Sequence, residues 1–242
     1  MSNSQWCPLS RLVNVLGDSW SILILRELAA GPLRFKELKN NVVGISMDQL
    51  TRKLAHLDRS QLIVRQEFSE APPRVQYQLT EKGKTLIPVL RRMLIWGYEK
   101  SWGQPALNEN VDLAVTLKTM ACFFGTGSGS VLFRLSGGDQ FLVERNEEGA
   151  VRVLEPVQWP PSIQPDAIVE ISTAEWIRIT SQGPRDRLRV RGQSTGNRNV
   201  LQKIFPILTD ATWLGDARFQ PRIETEWPAK TSAQTASPTK MR

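Results

Sequence analysis

The stretch 46–60, SMDQLTRKLAHLDRS, constrains this chain most. Ser46 and Gln49 stand at the S-x-x-Q spacing of a reciprocal cap, which places a helix start at Ser46. Leu50, Leu54 and Leu57 recur at i, i+4, i+7 and form one apolar stripe. At about 100° per residue, Asp48, Arg52, Ala55 and Arg59 fall on the opposite face. Gln49 and Thr51 flank that face near the N-terminal end. A short helix that is apolar on one side and offers Gln, Thr and Arg on the other suits the major groove of duplex DNA. An ordinary amphipathic surface helix has the same stripe, so the flanking sequence must decide between them.

Upstream, Leu9–Leu16 reads as a short amphipathic helix stopped by Gly17. Asp18 or Ser19 then caps a helix over Trp20–Ala30, whose nearly continuous apolar run implies burial on most sides. Gly31-Pro32 ends it. Leu33–Asn40 is expected to be a third helix, and Val42–Ile45 a Gly-containing turn into the helix at Ser46. Helix, short turn, helix is the pattern of a helix-turn-helix. Downstream, Gln61–Phe68 and Arg74–Leu79 read as strands joined by a basic loop containing Pro72-Pro73, which makes a wing. Thr80-x-x-Gly83 is expected to open one long helix reaching Trp102, kinked at Pro88. The sum is a winged helix-turn-helix domain over residues 6–103.

The residues themselves resemble HxlR-type regulators. The resemblance lies in Cys7-Pro8, Gly17-Asp18-Ser19-Trp20, Ile24-Leu25-Arg26-Glu27-Leu28 and Gly31-Pro32-Leu33-Arg34-Phe35-Lys36-Glu37-Leu38. It continues in Gly44-Ile45-Ser46, Leu50-Thr51-Arg52-Lys53-Leu54, Pro72-Pro73-Arg74-Val75-Gln76-Tyr77 and Leu79-Thr80-Glu81-Lys82-Gly83. It runs collinearly over about residues 6–100 and implies a MarR-like homodimer, held by its terminal helices on a palindromic operator. Asp58-Arg59-Ser60-Gln61-Leu62 departs from it, since the family commonly has an acidic residue and Gly before that Leu.

From Gln104 the composition changes, with a linker expected over Gln104–Asn110. Val111–Phe124 is apolar and fits a helix or a strand. Gly125–Ser130, GTGSGS, is expected to be a flexible turn, not a phosphate cradle, because no clear strand precedes it. Strands are expected at Val131–Leu135, Gln140–Arg145, Ala150–Leu154 and Asp166–Ile171, with hairpin turns at 137–139 and 147–149. A helix over Ala174–Gln182 is capped by Ser172 or Thr173. An edge-like strand over Arg187–Arg191 is ended by Gly192, and a closing helix spans Asn197–Leu208. Pro165-Asp166-Ala167, the Trp176-containing helix up to Gly183, and Leu188–Gly192 followed by the helix to Phe205 resemble a sterol-carrier-protein-like domain over residues 111–208. That resemblance implies a mostly antiparallel α/β fold with an apolar ligand tunnel. The fold class expected for the whole chain is therefore α+β. Residues 229–242 read as a disordered tail.

The charge is uneven. Residues 1–100 hold 15 Lys and Arg against 9 Asp and Glu, and the remainder 16 against 15, so nearly all of the net +7 belongs to the first half. That suits a polyanion partner there. The candidate DNA contacts are Arg34, Lys36, Ser46, Gln49, Thr51, Arg52, Arg65 and Arg74, expected to form one basic surface. Arg52 suits guanine and Gln49 adenine, while Arg34, Lys36 and Arg74 suit phosphates. Asp48 must face a base edge, pair with Arg52 or lie clear of the duplex, and Lys53 is expected to snorkel beside the apolar stripe.

Two cysteines, Cys7 and Cys122, are too few for a disulfide framework, and a cytoplasmic setting with reduced thiols is expected. The resemblance makes Cys7 a candidate redox sensor, while Cys122 reads as core. Phe123, Phe124, Phe133, Phe141, Trp159, Trp176 and Phe205 are core residues or the lining of a pocket for an apolar small molecule. The single histidine, His56, has no cluster at metal-ligand spacing, and no catalytic signature is present. Neither a metal, a cofactor, an enzyme activity, a secretory signal nor a membrane span is expected. The partners expected are duplex DNA, a second copy of the chain and an apolar ligand in the C-terminal half. A ligand-free oligomerisation or partner-docking module, or less readily an enzyme acting on a bound lipid, is the other reading of that half.

Overall fold

Asp18 and Ser46 start the two helices on which the N-terminal half is built. The computed structural model describes residues 6–69, 74–101, 112–159, 164–182, 189–190, 192–208 and 212–213. In that first half, α1 (Pro8–Leu16) leads to α2 (Ser19–Ala29), where the Asp18 carboxylate accepts from the Ser21 amide at 3.0 Å. β1 (Leu33–Arg34), α3 (Phe35–Asn41) and α4 (Met47–Arg59) follow. Then come β2 (Ile63–Phe68), β3 (Arg74–Leu79), α5 (Glu81–Lys84) and α6 (Ile87–Lys100). Ile24, Leu25 and Leu28 of α2 pack with Leu38, Leu50, Leu54, Leu57 and Ile63 in one core.

Two expectations change here. Leu33 and Arg34 form a strand, not the first turn of a helix. They pair with β3 (Leu33 with Tyr77, Arg34 with Gln76), so the wing is a three-stranded sheet ordered β1-β3-β2. The long helix expected over 80–102 is also two helices. Pro88 stands in the first turn of α6, where its missing N–H costs nothing, whereas in an unbroken helix its ring would meet the carbonyl four residues earlier. The segments 70–73 and 102–111, which carry the proline turn of the wing and the expected linker, lie outside the described residues.

In the second half α7 (Leu113–Phe123) resolves the ambiguity of its apolar run as a helix, opened by Asp112. β4 (Gly129–Leu135), β5 (Gln140–Arg145), β6 (Val151–Leu154) and β7 (Ala167–Ile171) follow. α8 (Thr173–Gln182), β8 (Arg189–Val190), β9 (Gly192–Gly196), α9 (Arg198–Ile204) and β10 (Thr212–Trp213) complete the described residues. A sheet ordered β6-β5-β4-β7-β9 is antiparallel at every pairing except β4 with β7. Gly192 begins β9 instead of ending a strand, and the last helix stops at Ile204, with a 3₁₀ turn over Pro206–Leu208. Strand alternation sends Val131, Phe133, Val143, Val169 and Ile171 to a face covered by α7, α8 and α9. Leu132, Leu142 and Leu154 go to the other, with Trp159 and Ile168. Residues 229–242 lie outside the described residues.

The two cores interlock. Phe123 of α7 is buried in the N-terminal core, and Ala30, at the end of α2, is buried in the C-terminal one. Cys122 and Phe124 touch both. The Val151 amide donates to the Ala30 carbonyl at 2.7 Å, and the Arg91 guanidinium lies 5.8 Å from the centre of the Phe124 ring.

Candidate nucleic-acid interface

α4 is held on one side and open on the other. Leu50 and Leu57 are fully buried, and Leu54 nearly so. Asp48, Thr51, Arg52, Ala55 and Arg59 are exposed. The helix is anchored laterally as well. Lys53 pairs with the Asp18 carboxylate at 2.9 Å, and His56 Nε2 lies 3.3 Å from the Val15 carbonyl. The snorkelling expected of Lys53 is thus an ion pair to the cap of α2, 35 residues away in sequence. Burial works against ionisation of Asp18, but Lys53 and the hydroxyl and amide of Ser21 outweigh it and hold the carboxyl below its ordinary range.

The structure sorts the candidate contacts. Ser46 Oγ accepts from the Gln49 amide at 3.2 Å, and Gln49 Oε1 accepts from the Ser46 amide at 3.0 Å, closing the reciprocal cap. Bidentate pairing of Gln49 with adenine would need that same Oε1, so it would cost the cap. The Thr51 hydroxyl donates to the Met47 carbonyl at 2.9 Å. Arg52 Nε lies 3.3 Å from the Asp48 carbonyl, so the contact between these two residues runs to the main chain and not between their charges. Among the described residues no carboxylate pairs with Arg52, and its side chain lies on the exposed face. Arg59 shares this face without having been assigned a role from sequence.

Arg34 precedes α3, its amide donating to Glu37 at 2.6 Å while its side chain stays exposed; Lys36 is exposed beside it. The wing divides the single basic surface expected. In the β2–β3 register Arg65 faces Tyr77, whereas Arg74 faces Phe68 and Gln76 faces Gln66. Alternation therefore puts Arg65 on one side of the hairpin and Arg74 on the other. Arg65 pairs with Glu67 two residues on, which raises its pKa, and Arg74 lies 5.3 Å over the Phe68 ring.

Cys7 is exposed immediately before α1, where the Ser10 and then the Leu9 amide draw its thiol below the ordinary range. Burial pushes Cys122 up to about 12. The seven aromatic candidates for a pocket do not line one space. Phe133, Trp176 and Phe205 pack edge to face at centroid distances of 4.8 to 6.4 Å, and Phe141 lies beside that core. Phe123 and Phe124 sit at the seam between the halves. Trp159 is on the opposite side of the sheet, its indole donating to the Leu154 carbonyl at 3.1 Å. An open depression of ≈ 410 Å³ near Arg134, Glu170 and Gln193 involves none of them. Among the described residues there is no group of three metal-ligating side chains and no helix long and apolar enough to cross a membrane.

The first part of the chain is similar to known proteins. The family model for an HxlR-like helix-turn-helix matches residues 15–105. An HTH-type transcriptional regulator of Methanothermobacter thermautotrophicus is 44% identical over 91 residues, covering 38% of this chain and 70% of that protein. The HTH-type transcriptional regulator YodB of Bacillus subtilis is 35% identical over 96 residues, 40% of this chain and 86% of its own. The solved structure of reduced YodB covers 40% of this chain and 96% of that one at 35% identity, with a TM-score of 0.37. Residues 112–208 lie outside the family match.

Proposed function

This chain belongs to the HxlR-like helix-turn-helix family, and from that membership we propose that it reads a palindromic operator as a homodimer. It is a DNA-binding transcriptional regulator of that type. One observation supports the reading above the others: α4 is capped, buried along Leu50, Leu54 and Leu57, and bare along Arg52 and Arg59. In this reading Arg52 contacts guanine, Arg34 and Lys36 contact phosphates beside the groove, and the wing brings Arg65 and Arg74 to the backbone from its two sides. Ser46, Gln49 and Thr51 hold the N-terminal end of α4 in shape where it meets the base edges.

A second copy of the chain is the partner proposed for the terminal helices. Leu9 and Val13 of α1, with Trp6 before it, expose apolar surface, as do Val89, Met93 and Trp96 of α6 at i, i+4, i+7. Trp6 is 91% and Trp96 61% exposed. Large apolar side chains at helical spacing on two terminal helices are what a dimer seam needs.

The signal is proposed to be an apolar ligand in the C-terminal half or oxidation of Cys7. The lowered thiol pKa and full exposure of Cys7 support the second. The mostly antiparallel sheet with helices on one face is consistent with a sterol-carrier-like domain. The buried Trp176 Nε1, which has no acceptor among the described residues, leaves a donor for a ligand oxygen. The close packing of Phe133, Trp176 and Phe205 favours instead a filled core and a ligand-free docking module.

The test is fluorescence anisotropy of the full chain on duplex DNA from just upstream of its own gene, at two salt concentrations and against competitor DNA. Arg52→Ala is expected to lose about 1–3 kcal/mol of discrimination, with the residual binding falling steeply with salt. Weak binding that is wholly salt-driven and indifferent to Arg52 would remove α4 as the reading element.

A further inference from the structure

Glu27, in the last turn of α2, is a fully buried charge, at 0% exposure. Groups from three helices share its carboxylate. Arg26 lies 2.8 Å from Oε1 on the same helix. Asn41 donates its side-chain N–H to Oε2 at 3.0 Å, and Lys118 pairs with that same oxygen. Asn41 is the last residue of α3, directly before the turn into α4. Lys118 is on α7, in the other half of the molecule, and is itself only 13% exposed.

We infer that the C-terminal half sets operator affinity through Lys118, a positioning residue for α4. This rests on the reading of α4 as the DNA-recognition helix and adds the route by which that helix is controlled. A carboxylate withdrawn from water must be compensated nearly in full. Arg26 and Asn41 meet part of that need from within the N-terminal half; Lys118 supplies the rest from outside it. With Lys118 in place, Glu27 holds Asn41, and Asn41 fixes the end of α3 and so the aim of the turn that launches α4. When α7 moves, Oε2 loses its cation and draws in solvent, which competes with Asn41 for the same oxygen, and the turn loses its anchor. The surrounding seam makes the contact persistent: Phe123 is buried among N-terminal residues, and Ala30 accepts from Val151 beside it. α7 also packs on the inner face of the sheet, where Leu117, Met120 and Ala121 join Phe133 and Trp176. Whatever repacks that core moves Lys118.

The experiment compares the full chain with Lys118→Met, Lys118→Arg and the double variant Glu27→Gln/Lys118→Met. Hydrogen exchange is read on free protein at the amides of 42–45, and operator affinity by anisotropy. Lys118→Met is expected to speed exchange at the turn and to weaken operator binding about five- to tenfold. Lys118→Arg retains the cation and should restore both. The double variant removes the uncompensated charge while keeping an amide for Asn41, and is expected to recover most of the affinity. A lysine that acted only by packing would not be rescued by a change at Glu27. Unchanged exchange at the turn in Lys118→Met, or a double variant as weak as the single one, overturns the inference. The exchange arm needs no DNA, so it decides the matter even if the wild-type chain shows no operator preference, the result that would sink the recognition-helix reading instead.

Discussion

Gln61 holds a backbone conformation that its side chain disfavours. Its φ of 58° is the only positive value at a non-glycine among the described residues. The turn is stitched shut around it, the Gln61 amide donating to the Asp58 carbonyl and the Thr80 hydroxyl to the Gln61 carbonyl at 2.7 Å. This is the position where the sequence departs from the glycine common in the family, so the departure is legible from sequence but its cost only from the backbone. Gln61→Gly is expected to raise stability by about 0.5–1 kcal/mol, because relief of left-handed strain exceeds the extra entropy of glycine. Chemical denaturation would show a higher midpoint; a lower one would mean that the Gln61 side chain contributes something the strain does not reveal. Cys7 and Cys122 separate at the same scale. With Cys7 drawn down by the α1 amides and Cys122 pushed up to about 12 by burial, native protein near neutral pH should be alkylated at Cys7 alone. Mass spectrometry after brief iodoacetamide treatment reads this directly, and equal labelling of the two thiols would remove Cys7 as a sensor.

Elements with a strong apolar period were readable, and those without one were not. α4 stands where Leu50, Leu54 and Leu57 put it, and β5 and β3 have the bounds their alternation implied. β9 is GQSTG, with no large apolar residue to mark a face; it exists because β7 offers an edge to pair with. β1 is two residues long and follows from the register of β3, a long-range fact that no local pattern carries. In the reading region, the residue types on α4 were visible, but the capture of Gln49 by its own cap and of Lys53 by Asp18 depends on distances that spacing alone leaves open. The terminal helices carry the element-scale prediction. Met93→Glu with Trp96→Glu is expected to turn a dimer into a monomer in sedimentation velocity, with a large loss of operator affinity as two half-sites become one. A doubly substituted chain that still sediments as a dimer would place the seam elsewhere.

At the scale of the whole molecule, the two halves were distinguishable by composition, since the charge excess stops near residue 100. Their joint was not. The Arg26-Glu27 pair reads in sequence as an ordinary polar step within an apolar helix, and the lysine that completes it lies 91 residues further on. The same joint has a consequence for how the protein survives in a cell. β6 is an outer strand of the five-stranded sheet, and its Val151 N–H would otherwise offer a template to any extended chain. The Ala30 carbonyl occupies that donor. The N-terminal half therefore acts as an edge guard, and variants that part Ala30 from β6 should raise the share of insoluble protein in the cell.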